Sequence, residues 1–225
     1  MATIHRTTMR PTKLELLAAW LPTRTWYAAG SEAPRPAKAG GFRLDDPEGE
    51  VGIEFMAVTD GEGPGAVTYH VPMTYRGKPL DGAEHALIGT SEHGVLGTRW
   101  IYDGAHDPVL VAALHALLAG RAVPQQQSVS DAADPTVTAA LDAPAVAAAP
   151  VEPAGATDGA DHTDVRLRVP GADAPLTLRL HRVLRPAPAA DTGDAAVVGR
   201  VTAEWTPAGA DGQPERGDYV TVRQD

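Results

Sequence analysis

The sequence predicts an α+β fold, in which an antiparallel sheet carries two helices and a small antiparallel β meander follows. Three observations support this prediction. Two segments have helical apolar spacing behind N-capping residues, several segments alternate apolar and polar residues with the period of a strand, and turn residues separate them. The 225 residues suffice for one large or two small domains, and 23 glycines with 20 prolines predict that part of the chain does not pack.

Both helices have recognisable beginnings. In the first, Thr12 and Glu15 form a capping box ahead of a leucine stripe, and Pro22 helps to end the helix. In the second, Asp107 is the N-cap before an apolar stripe, and Gly120 is a suitable stop. In the order of the chain, one helix comes before and the other after the strands predicted over 51–102.

Strands are predicted where apolar residues alternate with polar ones, over residues 51–55, 67–75, 95–102, 165–169, 176–180, 197–205 and 219–222. Residues 23–41 contain glycine, proline and alanine and are predicted to be a loop. Pro72 interrupts its segment without an amide donor, which predicts an edge strand or a bulge.

The chain divides into three predicted parts. Residues 1–120 form the α+β unit, and residues 121–163 form an Ala/Pro/Gln-rich linker that contains a short strand near 137–141. Residues 164–225 form the small antiparallel β segment. About 60 residues with few aromatics make a marginal independent domain, so this segment is expected to pack on the first unit or on a partner.

The composition excludes several classes of protein. A net charge of -10 argues against general binding of nucleic acid or of a membrane surface, since both need a basic face. The absence of cysteine excludes disulfides, thiolate metal ligands and cysteine nucleophiles, and it agrees with a cytoplasmic location. The early apolar run over 14–21 is short and contains Glu15, so it predicts neither a signal peptide nor a membrane span.

An octapeptide repeat is the most distinctive feature of the chain. Ala-Glu-His-Ala-Leu-Ile-Gly-Thr over 83–90 is followed at once by Ser-Glu-His-Gly-Val-Leu-Gly-Thr over 91–98. The pairs Glu84/His85 and Glu92/His93 suggest a metal site or acid–base chemistry only if the chain reverses near Gly89 and brings them together. Polar side chains that fix a tight double turn are the favoured interpretation.

Other possible motifs are incomplete. Ser91 sits in a Gly-Thr-Ser-Glu-His run that lacks the final glycine of a nucleophile elbow, and Pro79 follows Gly77-Lys78 where a phosphate loop needs Ser or Thr. No catalytic, cofactor-binding or metal-ligating residue is therefore predicted. A basic stripe on two later strands suggests an anion or acidic-partner contact, or an ordinary solvated face; it contains Arg166, Arg168, Arg179 and His181.

One segment is predicted to be an interaction or ligand surface. Aromatic and polar residues gather beside the start of the second helix, and the exposed rim between positions 75 and 107 contains the repeat. The candidate residues are Tyr75, Arg76, Glu84, His85, Glu92, His93, Arg99, Trp100, Tyr102, His106 and Asp107.

Several runs carry a resemblance to a known family: residues 16–22, 69–77 (Tyr-His-Val-Pro-Met-Thr-Tyr-Arg-Gly), 79–90, 92–93, 95–97, 100–104 and 106–108. On these residues the first 120 positions resemble the N-terminal cap domain of actinobacterial maltokinases. The resemblance implies a small α+β domain likened to the cystatin fold. It transfers no ATP-binding or phosphotransfer residue, because those belong to a kinase body that this sequence does not contain. Trp26-Tyr27-Ala28-Ala29-Gly30 also departs from the expected Trp-Phe-Gly-Gly-Lys-like run.

The resemblance implies a stand-alone cap-like protein, a non-catalytic accessory or regulatory protein of trehalose–maltose–glycogen (α-glucan) metabolism. Its partners would be trehalose synthase, a maltokinase or another α-glucan enzyme, with no cofactor. One alternative is a small-ligand (sugar) binding module with Tyr75, Trp100 and Tyr102 as stacking residues. Another is an enzyme that uses the two Glu–His pairs, which requires those side chains to meet in one cleft.

Overall fold

The computed structural model describes residues 9–28, 33–129, 132–170, 175–187, 194–207 and 212–224. Over these residues the predicted α+β class is confirmed, with a large antiparallel sheet and a C-terminal strand meander. The helices are α1 (Lys13–Trp20), α2 (Pro108–Leu118) and α3 (Pro144–Ala148). The strands are β1 (Met9–Arg10), β2 (Ala37–Leu44), β3 (Gly52–Asp60), β4 (Val67–Arg76), β5 (Leu87–His93), β6 (Gly97–Asp103), β7 (Gln125–Gln126), β8 (Thr138–Leu141), β9 (Glu152–Asp158), β10 (His162–Arg168), β11 (Leu176–His181), β12 (Val197–Trp205) and β13 (Glu215–Gln224).

The strands form one sheet rather than two. Its order is β1-β5-β6-β4-β3-β2-β12-β13-β11-β10-β9, with β7 on β2 and β8 on β12. The meander joins the first unit where Trp205 of β12 pairs with Gly40 of β2 and the Thr206 amide donates to the Ala39 carbonyl. The expectation that the C-terminal segment packs on the first unit is confirmed.

The sheet also closes on itself. The segment after β11 runs beside β4, where Val183 bridges Tyr69. The His70 amide donates to the Arg182 carbonyl over 2.9 Å, and the Leu184 amide donates to the Thr68 carbonyl over 2.8 Å. Strands β4, β3, β2, β12, β13 and β11, together with the 182–184 segment that continues β11, therefore form a closed ring of hydrogen-bonded neighbours. Closure satisfies backbone groups that an open edge would leave unpaired.

Aromatic side chains fill this ring. Phe42 and Phe55 stack with centroids 4.5 Å apart, and Tyr219 contacts Phe42, His70 and Trp205. All five side chains are buried. Because they come from β2, β3, β4, β12 and β13, both halves of the chain contribute to the same core.

The two long helices begin as predicted and cover different parts of the sheet. The capping box of Thr12 and Glu15 is present at α1, which packs on a cluster that includes Trp20 and Trp26. Asp107 caps α2, which belongs to the main core, and the chain leaves α2 through Gly120 with φ of 70°. Side chains of the sheet are thus buried on both faces beside the helices.

The predicted loop over 23–41 ends earlier than expected, because β2 begins at Ala37; residues 29–32, including Ala29 and Gly30, lie outside the described residues. The pair Gly40-Gly41 reads as a turn in sequence but serves close packing. A Cβ on Gly41 would lie 2.0 Å from the Phe55 carbonyl oxygen, and one on Gly40 would lie 3.2 Å from Trp205 Cα. Glycine therefore permits the junction of β2 with β12.

Pro72 lies in β4, a strand that has β3 on one side and β6 on the other. It is therefore neither in an edge strand nor at a bulge in the pairing of β4 with β3. It pairs with Phe55 across β3. On its other side, β4 contacts the 182–184 segment up to His70, and its pairing with β6 begins only at Met73. The missing amide donor thus falls where one neighbouring strand gives way to the next.

The segment between 121 and 163 contains regular structure in its described residues. It supplies β7, β8, α3 and β9, and the short strand expected near 137–141 is confirmed as β8. Val137 and Val146 are buried in the main core with α2 and the meander. The domain boundaries at 120 and 163 remain a prediction, although this core includes residues from all three predicted parts.

A buried ion pair connects the meander to the end of β6. Arg182 and Asp103 are 0% and 4% exposed, and Arg182 Nη2 lies 2.6 Å from Asp103 Oδ2. The Arg182 Nε donates to Thr163 over 2.7 Å, and its guanidinium lies over the Trp26 ring. The other Asp103 oxygen accepts from the Ala105 amide and so caps the turn before α2.

Replacing Arg182 should therefore be strongly destabilising. Arg182→Met leaves the Asp103 carboxylate buried without its counter-ion, and we expect the free energy of unfolding to fall by about 3–5 kcal/mol. Arg168→Met is the matched control, because Arg168 and Glu152 are both 72% exposed and 3.9 Å apart, so that its cost should stay within about 1 kcal/mol. Urea unfolding measures both; equal costs would contradict this account.

His70 makes the stability of the aromatic core depend on pH. Burial and the nearby Arg182 charge lower the pKa of His70 to about 3, although its bond with the His181 carbonyl opposes them. Since that carbonyl can only accept, Nδ1 carries the proton in the neutral ring. The folded pKa lies below the unfolded one of about 6.5. The stability that neutral His70 contributes is therefore fully present above pH about 6.5, and it is lost as pH falls toward 3.

Stability should accordingly decline on acidification, by about 1.4 kcal/mol per pH unit from His70 alone below pH about 6. His70→Asn keeps a donor near the Nδ1 position and removes the titration. We expect its free energy of unfolding to depend less steeply on pH between 6.5 and 4.5 than that of the wild type. Urea unfolding across this range measures the difference, and parallel pH profiles would rule out a role for His70.

Candidate ligand cleft and interaction surface

The predicted surface residues divide between the two faces of the sheet. In the register of β4 with β6, Tyr75 pairs with Ile101 and Arg76 pairs with Trp100. Because side chains alternate along a strand, Tyr75 and Arg99 belong to one face, whereas Arg76, Trp100 and Tyr102 belong to the other. The three aromatic residues considered for sugar stacking therefore do not converge.

Tyr75 lines a cleft of about 790 Å³ between the sheet, the start of α1 and the β5–β6 hairpin. Five cationic and three acidic residues line it, together with glycines and apolar residues. The charged lining residues are Lys13, Arg43, Arg76, Lys78, Arg99, Asp46, Glu50 and Glu54. Four of the predicted surface residues, Tyr75, Arg76, His93 and Arg99, thus share this cleft.

A buried carboxylate is at the floor of the cleft. Glu54 accepts from Lys13 Nζ at 2.8 and 2.9 Å, from the Tyr75 hydroxyl at 2.5 Å and from Gln127 at 3.1 Å. Burial raises the pKa of Glu54, but the Lys13 charge and the hydrogen bonds from Lys13 and Tyr75 outweigh it and hold the pKa below its ordinary value. Burial and Glu54 together raise the pKa of Tyr75, so its hydroxyl stays a donor.

On the opposite face, an ion pair fixes the start of α2. Arg76 donates through Nε and Nη2 to the two oxygens of Asp107, both at 2.7 Å. Asp107 Oδ1 also accepts from the Val109 amide, which makes it the N-cap of α2. The Asp107 side chain is 0% exposed, so Asp107 acts in folding and is not a contact residue at the surface.

Trp100 and Tyr102 belong to a small satellite core. The Tyr102 hydroxyl accepts from the Leu80 amide over 3.0 Å, and its ring packs with Ala83 and Ala86. Trp100 packs against this cluster while remaining partly exposed. These contacts hold the loop between β4 and β5 on the sheet.

His85 and His106 form a pair. Their ring nitrogens, Nε2 and Nδ1, are 3.1 Å apart, and the rings meet edge to face. Burial lowers the pKa of His106, and the neighbouring His85 acts in the same direction against the opposing effect of Asp103. A single hydrogen bond, in which one imidazole N–H donates to the unprotonated nitrogen of the other, satisfies this geometry. Glu84 lies beside them, exposed, and accepts from the Gly82 amide.

The second copy of the repeat builds a hairpin tip instead. His93 Nδ1 faces the Val95 and Leu96 amides at 3.3 and 3.1 Å, and Glu92 accepts from Thr98 at 2.6 Å. Arg99 donates to the Leu96 carbonyl at 2.7 Å. Polar side chains therefore fix this turn, in agreement with the favoured interpretation of the repeat.

The two Glu–His pairs do not meet. The chain continues through Gly89 as β5 and reverses only after His93, so the first pair lies in the turn before this seven-residue strand and the second pair forms its last two residues. Such a strand spans about 23 Å. The structure thus does not meet the condition set for an enzyme that uses both pairs. In the described part of the chain, no cluster of three or more His, Cys, Asp or Glu residues has the geometry of a metal site.

The floor of the cleft was not predicted from the sequence. Glu54 falls on the polar side of the predicted strand over 51–55, whereas α1 covers that face and brings Lys13 to it. Gln127 was not predicted because 121–163 was expected to be a linker, and Arg43 lies between the predicted loop over 23–41 and the predicted strand over 51–55, where no element was expected. The later basic stripe is largely paired: Arg179 binds Asp164 at 2.8 Å, and His181 contacts Thr221.

The double role of Asp107 gives a prediction. Asp107→Asn keeps an oxygen for the Val109 amide but loses the charge pair with Arg76, whereas Asp107→Ala loses both. We expect the free energy of unfolding to fall further in the Ala variant than in the Asn variant, by about 1 kcal/mol, the usual worth of an N-cap. Urea unfolding measures the difference. Equal values would show that the cap contributes nothing.

One part of the chain matches a known family model. Residues 20–107 match the family model of the maltokinase N-terminal cap domain, from the last residue of α1 to the N-cap of α2. No curated protein matches the chain. Among the described residues, no helix has the length and apolar character needed to cross a membrane. The predicted resemblance is therefore confirmed over residues 20–107, which match the model of the maltokinase N-terminal cap domain.

Proposed function

We propose that this chain is a non-catalytic accessory protein of trehalose–maltose–α-glucan metabolism in the cytoplasm. It docks on a trehalose synthase, a maltokinase or another α-glucan enzyme. The match of residues 20–107 to a maltokinase cap domain supports the pathway. The docking surface is the exposed rim between positions 75 and 107, which the repeat builds.

The β5–β6 hairpin tip is the observation that carries this proposal. Val95 and Leu96 are adjacent there and 62% and 45% exposed, and they are two of the four large apolar side chains that are well exposed within the described ranges. His93 and Arg99 form hydrogen bonds with the backbone of the tip, as given above. An apolar tip braced by such bonds and bordered by charged residues is suited to insertion into a partner's surface, because less conformational entropy is lost on binding than for an unbraced loop.

The polar residues of the rim support an accessory role. Asp107 and Arg76 hold the start of α2, the Tyr102 hydroxyl holds the loop after β4, and Glu92 holds Thr98. These groups already perform structural work in the folded chain. The exposed members Glu84 and His85 remain accessible to a partner.

The test is co-purification with two matched variants. The tagged protein is expressed in an actinobacterial host, purified under mild conditions and analysed by mass spectrometry for the three enzyme classes named above. Val95→Glu places a charge at the tip and should lower recovery of the partner at least about fivefold, the effect of about 1 kcal/mol in binding. Val123→Glu is the control, because Val123 is also 62% exposed but lies outside the rim.

Two results would contradict the proposal. Recovery of none of these enzymes above a tag-only control would remove the accessory role. An equal decrease in partner recovery for Val95→Glu and Val123→Glu would show that the hairpin tip is not the contact.

A small-ligand binding module is the second candidate function, and the 790 Å³ cleft favours it. That volume is within the range of small-molecule sites. The sugar-stacking set expected from the sequence contributes only Tyr75 to the cleft, so recognition there would depend on its charged and amide side chains.

A further inference from the structure

We infer that the cleft beside Tyr75 binds a small organic ligand through an oxyanion, either a phosphate monoester or a carboxylate. The inference rests on the second candidate function and names the ligand class for that site. It is independent of the docking proposal, because it concerns the isolated protein.

The charges of the cleft favour an anion. Lys13 is neutralised by Glu54 over 2.8 Å, and Arg76 is neutralised by Asp107 over 2.7 Å. The remaining cations of the lining are Arg43, Lys78 and Arg99. A local excess of positive charge in a chain of net charge -10 would attract a small anion to this position.

Asp46 and Glu50 reduce this excess of three cations but do not cancel it. Asp46 already accepts from the amides of Glu48, Glu50 and Val51, at 3.1, 3.0 and 2.9 Å. Its oxygens are committed to the turn between β2 and β3. Glu50 is exposed at the rim, where water screens its charge.

Two guanidinium donors in the cleft lining have no protein acceptor. Arg43 Nη1 and Arg99 Nε are buried and make no hydrogen bond within the described part of the chain. A buried donor that stays unpaired costs about 1–3 kcal/mol. Arg43 and Arg99 both line the cleft, so an oxyanion bound there would accept from their guanidinium groups. Arginine is well suited to bind carboxylate or phosphate through two parallel hydrogen bonds.

The fold explains why these donors share one cleft. Arg43 pairs with Glu54 across β2 and β3, so both point to the face that carries Tyr75 and Arg99. The volume exceeds what a bare phosphate needs, and Met9, Val51 and Leu96 add apolar surface to the lining. The ligand is therefore an organic molecule with one oxyanion group.

The test compares charged probes with a neutral analogue on the purified full chain. Phenyl phosphate and benzoate carry the two oxyanions, and benzamide has the shape of benzoate without its charge. Binding is followed by NMR chemical-shift changes or calorimetry at low salt and pH 7. We expect at least one charged probe to bind, benzamide not to bind, and added salt to weaken binding.

Variants locate the site. Arg43→Gln should weaken binding of the charged probe at least tenfold, and Arg99→Gln should weaken it as well. Arg168→Gln, at a position 72% exposed outside the cleft, should bind as the wild type does. Arg43→Gln should unfold at no lower urea concentration than the wild type, because it removes a donor that has no partner, and this result separates lost binding from lost folding.

Three outcomes would overturn the inference. Equal binding of benzamide and benzoate would show that charge does not matter, and unchanged binding in Arg43→Gln would move the site elsewhere. Binding of neutral maltose without binding of either anion would keep the second candidate function but exclude an oxyanion ligand. None of these results affects the partner test, so failure of one proposal is distinguishable from failure of the other.

Discussion

The Asp103 carboxylate is the contact through which the two halves of the protein constrain each other. One oxygen caps the turn that leads into α2, and the other binds Arg182 of the segment that closes the sheet against β4. A carboxylate buried in this way needs its counter-ion, because the cost of desolvating it alone is several kcal/mol. The end of the cap segment and the return of the meander are therefore held in one relative position.

Closure of the sheet determines the environment on both of its faces. The ring interior is aromatic and keeps His70 neutral next to Arg182. On the other face, the start of α1 supplies Lys13 to Glu54 of β3, a carboxylate that would otherwise be an isolated buried charge. The same arrangement leaves Arg43 beside the cleft with a donor that has no protein acceptor.

Local signals predicted the elements whose boundaries depend on neighbouring residues. The capping box at Thr12, the N-cap at Asp107 and the alternation over 67–75 each involve groups within a few positions, and all three were confirmed. The start of β2 was missed because Gly40 and Gly41 read as a loop. Gly40 permits the close approach of β12 and Gly41 permits that of Phe55, and both neighbours are distant in sequence.

The octapeptide repeat separates what the sequence by itself determined from what only the tertiary structure decided. The sequence determined the fold class, both long helices and the resemblance of residues 20–107 to a maltokinase cap domain, because these depend on local periodicity and on the order of residues. Only the tertiary structure decided that His85 pairs with His106 while His93 holds a hairpin tip. Identical Glu-His pairs acquired different roles because the chain reverses within the second copy, just after His93, and this reversal depends on pairing with β6.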